Sequence, residues 1–313
     1  MPSLNWNSLD RQVNTALLKI MDLGERRIIR EYAVALKQIR NEMSKLYERV
    51  VKDDGKLTLA QMTKYNRMTG LDKDLAQIMN RNYGIVVAST DRLAEELYDA
   101  SYFRYGWAFD QNSGVSLTWG SIPEEALEAV SHNRMDLIAK NTLKITQRNR
   151  IRSAISQGLL QGKSFPQMSR DIKKAMASNA YQALRIARTE GARAQSDGTA
   201  AIYEKAISNG VRGKEIWDAV LETDDKRKHK PPHQNLDGVP RPASGFWVLG
   251  GHKAARPLDF GIASYDIHCR CRLRFEVTGY APQLRRTRDQ GVIPYTTFAD
   301  WKPGLSSRGK FNP

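Results

Sequence analysis

The sequence predicts an α+β protein: a predominantly helical N-terminal half with long helices, then a compact C-terminal domain with a small antiparallel sheet. Two observations carry that prediction. Apolar residues recur at steps of three and four through most of the first 210 positions, the spacing of one face of an α-helix. After Gly213 the texture changes to Gly/Pro-rich turns, and it closes on "CRCRLRFEV" at 269–277, where the period is a clean two. These signals divide the chain into four segments. Residues 1–120 form a helical region suited to docking on another protein, and 121–210 form long basic and Ala-rich helices. Residues 211–280 form a small-sheet core with a long loop, and 281–313 form a basic extended tail.

The first fifty residues read as one long helix or a helix pair. Ile28, Tyr32, Leu36, Ile39, Met43, Leu46 and Val50 form a narrow stripe. Leu9, Val13, Leu17 and Ile20 continue it upstream, past a candidate break at Gly24, and "DDG" at 53–55 ends the element. Helical signals resume at Leu71. Six aromatics then crowd between Tyr102 and Trp119, the pattern of a packing junction between helices rather than of a base-stacking platform. "SIPEEALEAV" opens a further helix, with Ser121 as cap, Pro123 in the first turn and Glu124 closing a capping box. "GKSFPQM" repeats that logic through Ser164, Pro166 and Gln167, and an Ala-rich helix then runs to Gly210. "KEIWDAVLET" reads as a strand with imperfect alternation. Beyond it, an irregular segment from Asp224 to about Asp266 is long enough to imply function or short strands of its own. In the closing strand Cys269, Cys271, Leu273, Phe275 and Val277 face one way, with Arg270, Arg272, Arg274 and Glu276 facing the other.

The 313 residues are 41% hydrophobic and 27% charged, enough apolar material for one large or two moderate domains. No apolar run approaches the roughly 20 residues that span a bilayer, so no membrane partner is expected. Two cysteines two positions apart make no disulfide framework, which points to a reducing compartment. Net charge is +15, and it is lopsided. Residues 1–130 carry 17 Lys/Arg against 18 Asp/Glu, whereas 131–313 carry 32 against 16. The second part is therefore expected to meet a polyanion. Lys140, Lys144 and Arg148, spaced by four on one helix face with Arg150 and Arg152 beside them, are the best candidates for phosphate contacts. Arg285, Arg286 and Arg288 in the tail join them.

Polar residues of the sheet domain fall into two blocks, "TDDKRKHKPPHQNLDG" at 223–238 and "HCRC" at 268–271. Three readings stay open. His233, Cys269 and Cys271, with His229, His268 or Asp225, have the ligand types of a zinc site. Against that, i and i+2 on a regular strand hold their Cα atoms roughly 6.5–7 Å apart, so both thiolates reach one zinc only if the strand starts with a bulge. A hydrolase would use Asp224 and Asp225 on a metal and His233 as general base. The third reading is structural: the cysteines are small buried hydrophobes, and Asp225, Arg227 and His233 pin the loop. The cysteines stand too far apart on a strand for a disulfide.

These blocks and the helix before them resemble the phage Mu protein F-like head-morphogenesis family, also called minor head or minor capsid proteins. The match runs through "ARTEGARAQSDG" at 187–198, Trp217, the "DD-K-R…H…LDG" run at 224–238, the "CRC" tripeptide with its strand, and "IPYTTFADWK" at 293–302. It covers roughly residues 135–302. Position by position the signature falls on Arg188, Thr189, Glu190, Asp225, Arg227, His233, Asp237, Gly238, Cys269, Arg270 and Cys271; His268 stands where the family often has Asn. The resemblance implies a structural signature, no catalytic residues and no required cofactor; zinc is suggested by the His/Cys ligand types alone. It implies a minor head protein of a tailed bacteriophage or prophage that acts in head morphogenesis. Partners would be the portal protein, a capsid or scaffolding protein, and double-stranded DNA contacted without sequence preference. The protein would pass from the bacterial host cytoplasm to the virion interior. The competing class is a virion-carried metal-dependent nuclease or toxin-like enzyme built on the Asp/His/Cys constellation. A cellular DNA-binding protein fits the charge but not the "LDG…CRC" pattern.

Overall fold

In a computed structural model the apolar stripe of the first fifty residues becomes one unbroken helix, α1 (Trp6–Val50). Residues 6–50, 57–63, 66–113, 119–122, 126, 130, 134–220, 232–278, 284–287 and 291–294 are described. For Val50, Leu59, Ser113, 134–143, 284–287 and 291–294 the description is of backbone alone. The "DDG" stop lies outside these residues, as do Pro123 and the Glu124 half of the Ser121–Glu124 capping box. Next come α2 (Leu59–Thr63), α3 (Arg67–Ser113), α4 (Arg134–Leu160) and α5 (Phe165–Ser208). Two expectations need correction here. Gly24 does not interrupt α1: a Cβ there would lie 2.5 Å from a Leu93 methyl of α3, so this glycine permits close approach. Likewise the stretches starting at Ser164 and Ala180 form one helix, because no Gly or Pro separates them.

Helix ends follow the capping signals. The Ser164 amide and hydroxyl both donate to Gln167 Oε1, at 2.9 and 3.2 Å. At the far end of α5, Gly210 takes φ +90°, while the Gly210 and Val211 amides fold back onto the Ile207 and Ala206 carbonyls.

The chain folds as two compact units that interleave along the sequence, whereas the segments read from the sequence run end to end. One unit gathers residues 21–93 and 128–188, and the other gathers 1–20, 94–127 and 189–313. In the first, Ile28, Ile39, Met43, Ile151, Ile155, Met168 and Ile172 are buried. Where the sequence stripe names Leu36 and Leu46, the buried positions are their neighbours Ala35 and Tyr47. Buried Gln147 ties α4 in this unit, donating to the Tyr32 hydroxyl at 2.5 Å and to the Asn179 carbonyl at 3.3 Å.

The second unit carries the sheets. Strands β1 (Gly213–Asp218) and β4 (Arg272–Val277) pair antiparallel. Between them in sequence lie the hairpin β2 (Trp247–Leu249) and β3 (His252–Ala254), then the single helical turn α6 (Ala263–Asp266). Residues 238–241 run along the other edge of β1 through Gly238 to Trp217 and Arg241 to Glu215 backbone bonds, both 2.8 Å. With both edges paired, Glu215, Ile216, Trp217 and Asp218 are all buried, which is why the alternation of this strand looks imperfect. The Trp6, Tyr105, Phe109, Tyr203 and Phe275 rings interlock at centroid distances of 4.7–6.5 Å, so most of the aromatic crowd is a packing junction. Phe103 and Trp107 are its exposed members. The tail is not wholly extended: β5 (Leu284–Thr287) and β6 (Gly291–Pro294) form a hairpin.

β4 begins at Arg272, not Cys269. Leu273 and Phe275 are buried as the period of two requires, but the opposite face is covered too. Arg274 is buried, and Arg272 is held by Asp218 at 2.6 Å and by Asp10 of α1 at 2.8 Å.

Candidate functional site

The two polar blocks meet at His233. This residue opens a one-turn 3₁₀ helix (His233–Leu236) that the "LDG" run terminates. Asp237, buried, accepts the Ala219 amide at 2.9 Å, and Gly238 takes φ +72°, which a side chain would strain. On the other side Asp266 ends α6. Its carboxylate accepts the Phe260 and Gly261 amides at 3.2 and 2.9 Å, and its carbonyl accepts the Cys269 amide at 3.0 Å. Burial raises the Asp266 pKa against those two amide bonds. His268 sits between them at φ +63°, in the left-handed region. That turn bends the backbone just before Cys269.

The bend alters the geometry assumed for a regular strand. Both sulfurs turn toward one nitrogen: His233 Nδ1 lies 3.4 Å from Cys269 Sγ and 3.6 Å from Cys271 Sγ. All three atoms fall within 4.8 Å of one another. Both cysteines are free thiols; Cys271 is buried and Cys269 half-buried. The Cys271 thiol donates to Cys269, which holds Cys269 well below the usual thiol range despite burial, with help from His233. The same bond, with burial, pushes Cys271 well up. The His233 ring stacks on Phe260 at 5.5 Å and meets the edge of Trp217 at 6.0 Å, with Tyr265 at 6.1 Å. Phe260 and Tyr265 lie in the irregular segment, where no period marks them for the site.

Comparison with known proteins finds the same resemblance. Residues 149–274 match the family described as phage Mu protein F like protein. The chain is 28% identical over 307 residues to minor head protein GP7 of Bacillus phage SPP1, covering 95% of this chain and 96% of that protein. Residues 149–274 are thus similar to the phage Mu protein F like family, and nearly the whole chain is similar to a phage minor head protein. A second relative, NAD(+)--arginine ADP-ribosyltransferase EFV of Enterococcus faecalis, is 35% identical over 148 residues, which is 47% of this chain and 30% of the transferase. No solved structure matches.

Seen on the fold, the Mu F like signature is dispersed. His233, Asp237, Gly238, Cys269 and Cys271 gather as above, and Arg270 is exposed. Arg188 grips Glu25 of α1 with two 2.6 Å bonds. Thr189 is buried, and Glu190 accepts from Arg193 at 2.8 Å. Asp225 and Arg227, with Asp224 and His229, lie outside the described residues, so the hydrolase constellation has no described geometry. Two ion pairs that no local pattern announced brace this unit: Arg256 with Asp197 at 2.5 Å, and Arg241 with Glu215 at 2.6 Å. Burial raises the pKa of both carboxylates against those arginines.

The candidate phosphate contacts divide by helix geometry. Lys144, Arg148 and Arg152 are exposed on α4, four residues apart on one face. Lys144 Nζ stands 5.9 Å over the Tyr83 ring, and Arg152 reaches Asp72 at 3.2 Å. Arg150, two residues from Arg148, is turned away and donates to Asn179 at 3.4 Å. Lys140 is on α4, and Arg285 and Arg286 are on β5, all described by backbone alone; Arg288 lies outside the described residues. Among the described residues no helix is long and apolar enough to cross a membrane.

Proposed function

We propose that this protein is a minor head protein of a tailed bacteriophage or prophage. In this reading it joins the head during assembly, associates with the portal protein, touches packaged DNA and ends in the virion interior. The observation that carries this is the end-to-end similarity to the SPP1 minor head protein, which leaves almost none of either chain unmatched. The similarity to the Enterococcus transferase takes in 30% of that enzyme, so it supports a shared domain more than a shared activity, and we assign no catalytic role.

The DNA contact is non-specific and runs through phosphates. Its support is the basic excess of residues 131–313 and the exposed Lys144, Arg148 and Arg152 stripe. For duplex DNA the logarithm of affinity falls with the logarithm of salt at a slope of about −0.9 per phosphate neutralised. Replacing all three side chains with Gln therefore flattens that slope by about 2.7 and weakens binding equally on unrelated sequences. Filter binding of the full chain across a salt series measures this. An unchanged slope, or sequence preference that survives high salt, rejects the DNA role. Mass spectrometry of purified heads tests the virion role, which fails if the protein is absent from them.

A further inference from the structure

We propose that His233 Nδ1, Cys269 Sγ and Cys271 Sγ together bind one zinc ion. The inference rests on side-chain geometry and holds whether or not the protein works in a phage head. In tetrahedral zinc sites Zn–S is about 2.3 Å and Zn–N about 2.0–2.1 Å, which sets each N···S edge near 3.6 Å and the S···S edge near 3.8 Å. The two N···S distances here are 3.4 and 3.6 Å, and all three donor atoms lie within 4.8 Å of one another.

A hydrogen-bonded cluster explains this arrangement less well. A neutral imidazole nitrogen carries one lone pair or one proton, so a single Nδ1 makes one good bond, not two to separate sulfurs. A cation among the three atoms uses all of them at once. Its charge also suits the site: on ligation each thiol loses its proton, and two thiolates with one Zn²⁺ are neutral, which lowers the cost of burial. Two soft sulfurs and an imidazole select zinc over magnesium or calcium. The fourth position is left to a ligand beyond these three.

The ion would join the His233 turn to the segment entering β4 and so clip together the two ends of the long loop. The other ring nitrogen, Nε2, is buried without a hydrogen-bond partner among the described residues, so Nδ1 is the working edge.

The test uses full-length protein made in zinc-supplemented medium and purified without chelator. Elemental analysis is expected to give about one zinc per chain, falling at least tenfold in Cys271→Ser, Cys269→Ser and His233→Ala. Should the variants fail to fold, the wild type decides: Co²⁺ added to metal-stripped protein is expected to produce thiolate-to-cobalt charge-transfer absorption and saturate at one equivalent. Fewer than about 0.1 zinc per chain with no charge-transfer band overturns the proposal, as does full zinc retention in Cys271→Ser. A disulfide between the two cysteines in fresh protein overturns it as well.

Discussion

Removing the Asp10 carboxylate tests whether the first turns of α1 belong to the same cooperative unit as the last core strand. Asp10 is buried; its Oδ1 accepts the Tyr105 hydroxyl at 2.8 Å, and Arg272 Nη1 donates to both its oxygens at 3.0 and 2.8 Å. Taking one partner out of a buried charge pair costs about 3–5 kcal/mol. Arg272 keeps Asp218 at 2.6 Å, which moves the expectation to the low end. Fully buried Tyr105 loses its acceptor, a further loss of about 1 kcal/mol. Asp10→Ala should therefore cost about 3–4 kcal/mol. Asp10→Asn, which can still accept hydrogen bonds but has no charge, should cost about half as much. Asp22→Ala is the control, because its pair with Arg26 is more than half exposed on both sides and is worth no more than about 0.5 kcal/mol. Urea denaturation followed by tryptophan fluorescence reads the difference as a midpoint shift of about 1 M at a slope of about 3 kcal/mol/M. If Asp10→Ala unfolds with Asp22→Ala, the assignment of the first turns of α1 to this unit is wrong.

Two further expectations concern stability. Tyr47 donates to the Lys163 carbonyl at 2.9 Å, and burial pushes its pKa up to about 12. Its stabilisation is complete below the ordinary tyrosine value of about 10 and is lost as pH rises through 12. Tyr47→Phe should cost about 1 kcal/mol at neutral pH and remove one late-ionising tyrosine from an ultraviolet titration; an unchanged titration would refute the placement. Gly198→Ala should lose about 1–3 kcal/mol, because the new Cβ would lie 2.5 Å from the Tyr98 carbonyl oxygen. Gly84→Ala, in α3 with nothing within 4 Å, should instead gain up to about 1 kcal/mol. Thermal melts that rank the two alike would contradict the packing.

Much of the fold was legible because it is written locally. The Ser164–Gln167 box, the Gly210 stop and the Ile28–Met43 stripe each depend on residues within a turn or two, and they appear where their patterns put them. The pairing of β1 with β4 was also within reach. The interleaved units were not, since no period announces that Trp6 donates to the Phe275 carbonyl or that Asp10 meets Arg272. At the candidate site the three side chains that the sequence singles out do converge, but not through the geometry of a regular strand. The period of two runs back through the cysteines in the sequence, but the left-handed turn at His268 leaves the strand itself to start at Arg272. Histidine and asparagine enter the left-handed region more readily than most residues, but residue type alone does not say which histidine will.

The 269 positions between Trp6 and Phe275 also set a clock. At about 5–20 residues per second, a ribosome that has made Trp6 needs roughly 15–50 s more to make its partner. Through that interval Trp6 has no β4 to bury against, so this unit closes only after nearly the whole chain exists. A nascent chain stalled before Phe275 therefore displays an apolar helix end open to chaperones or to a neighbouring chain. Deleting residues 1–110 would remove Trp6, Asp10, Tyr105 and Phe109 from the sheet-bearing unit, so the portal and DNA roles are better separated by surface substitutions than by truncation.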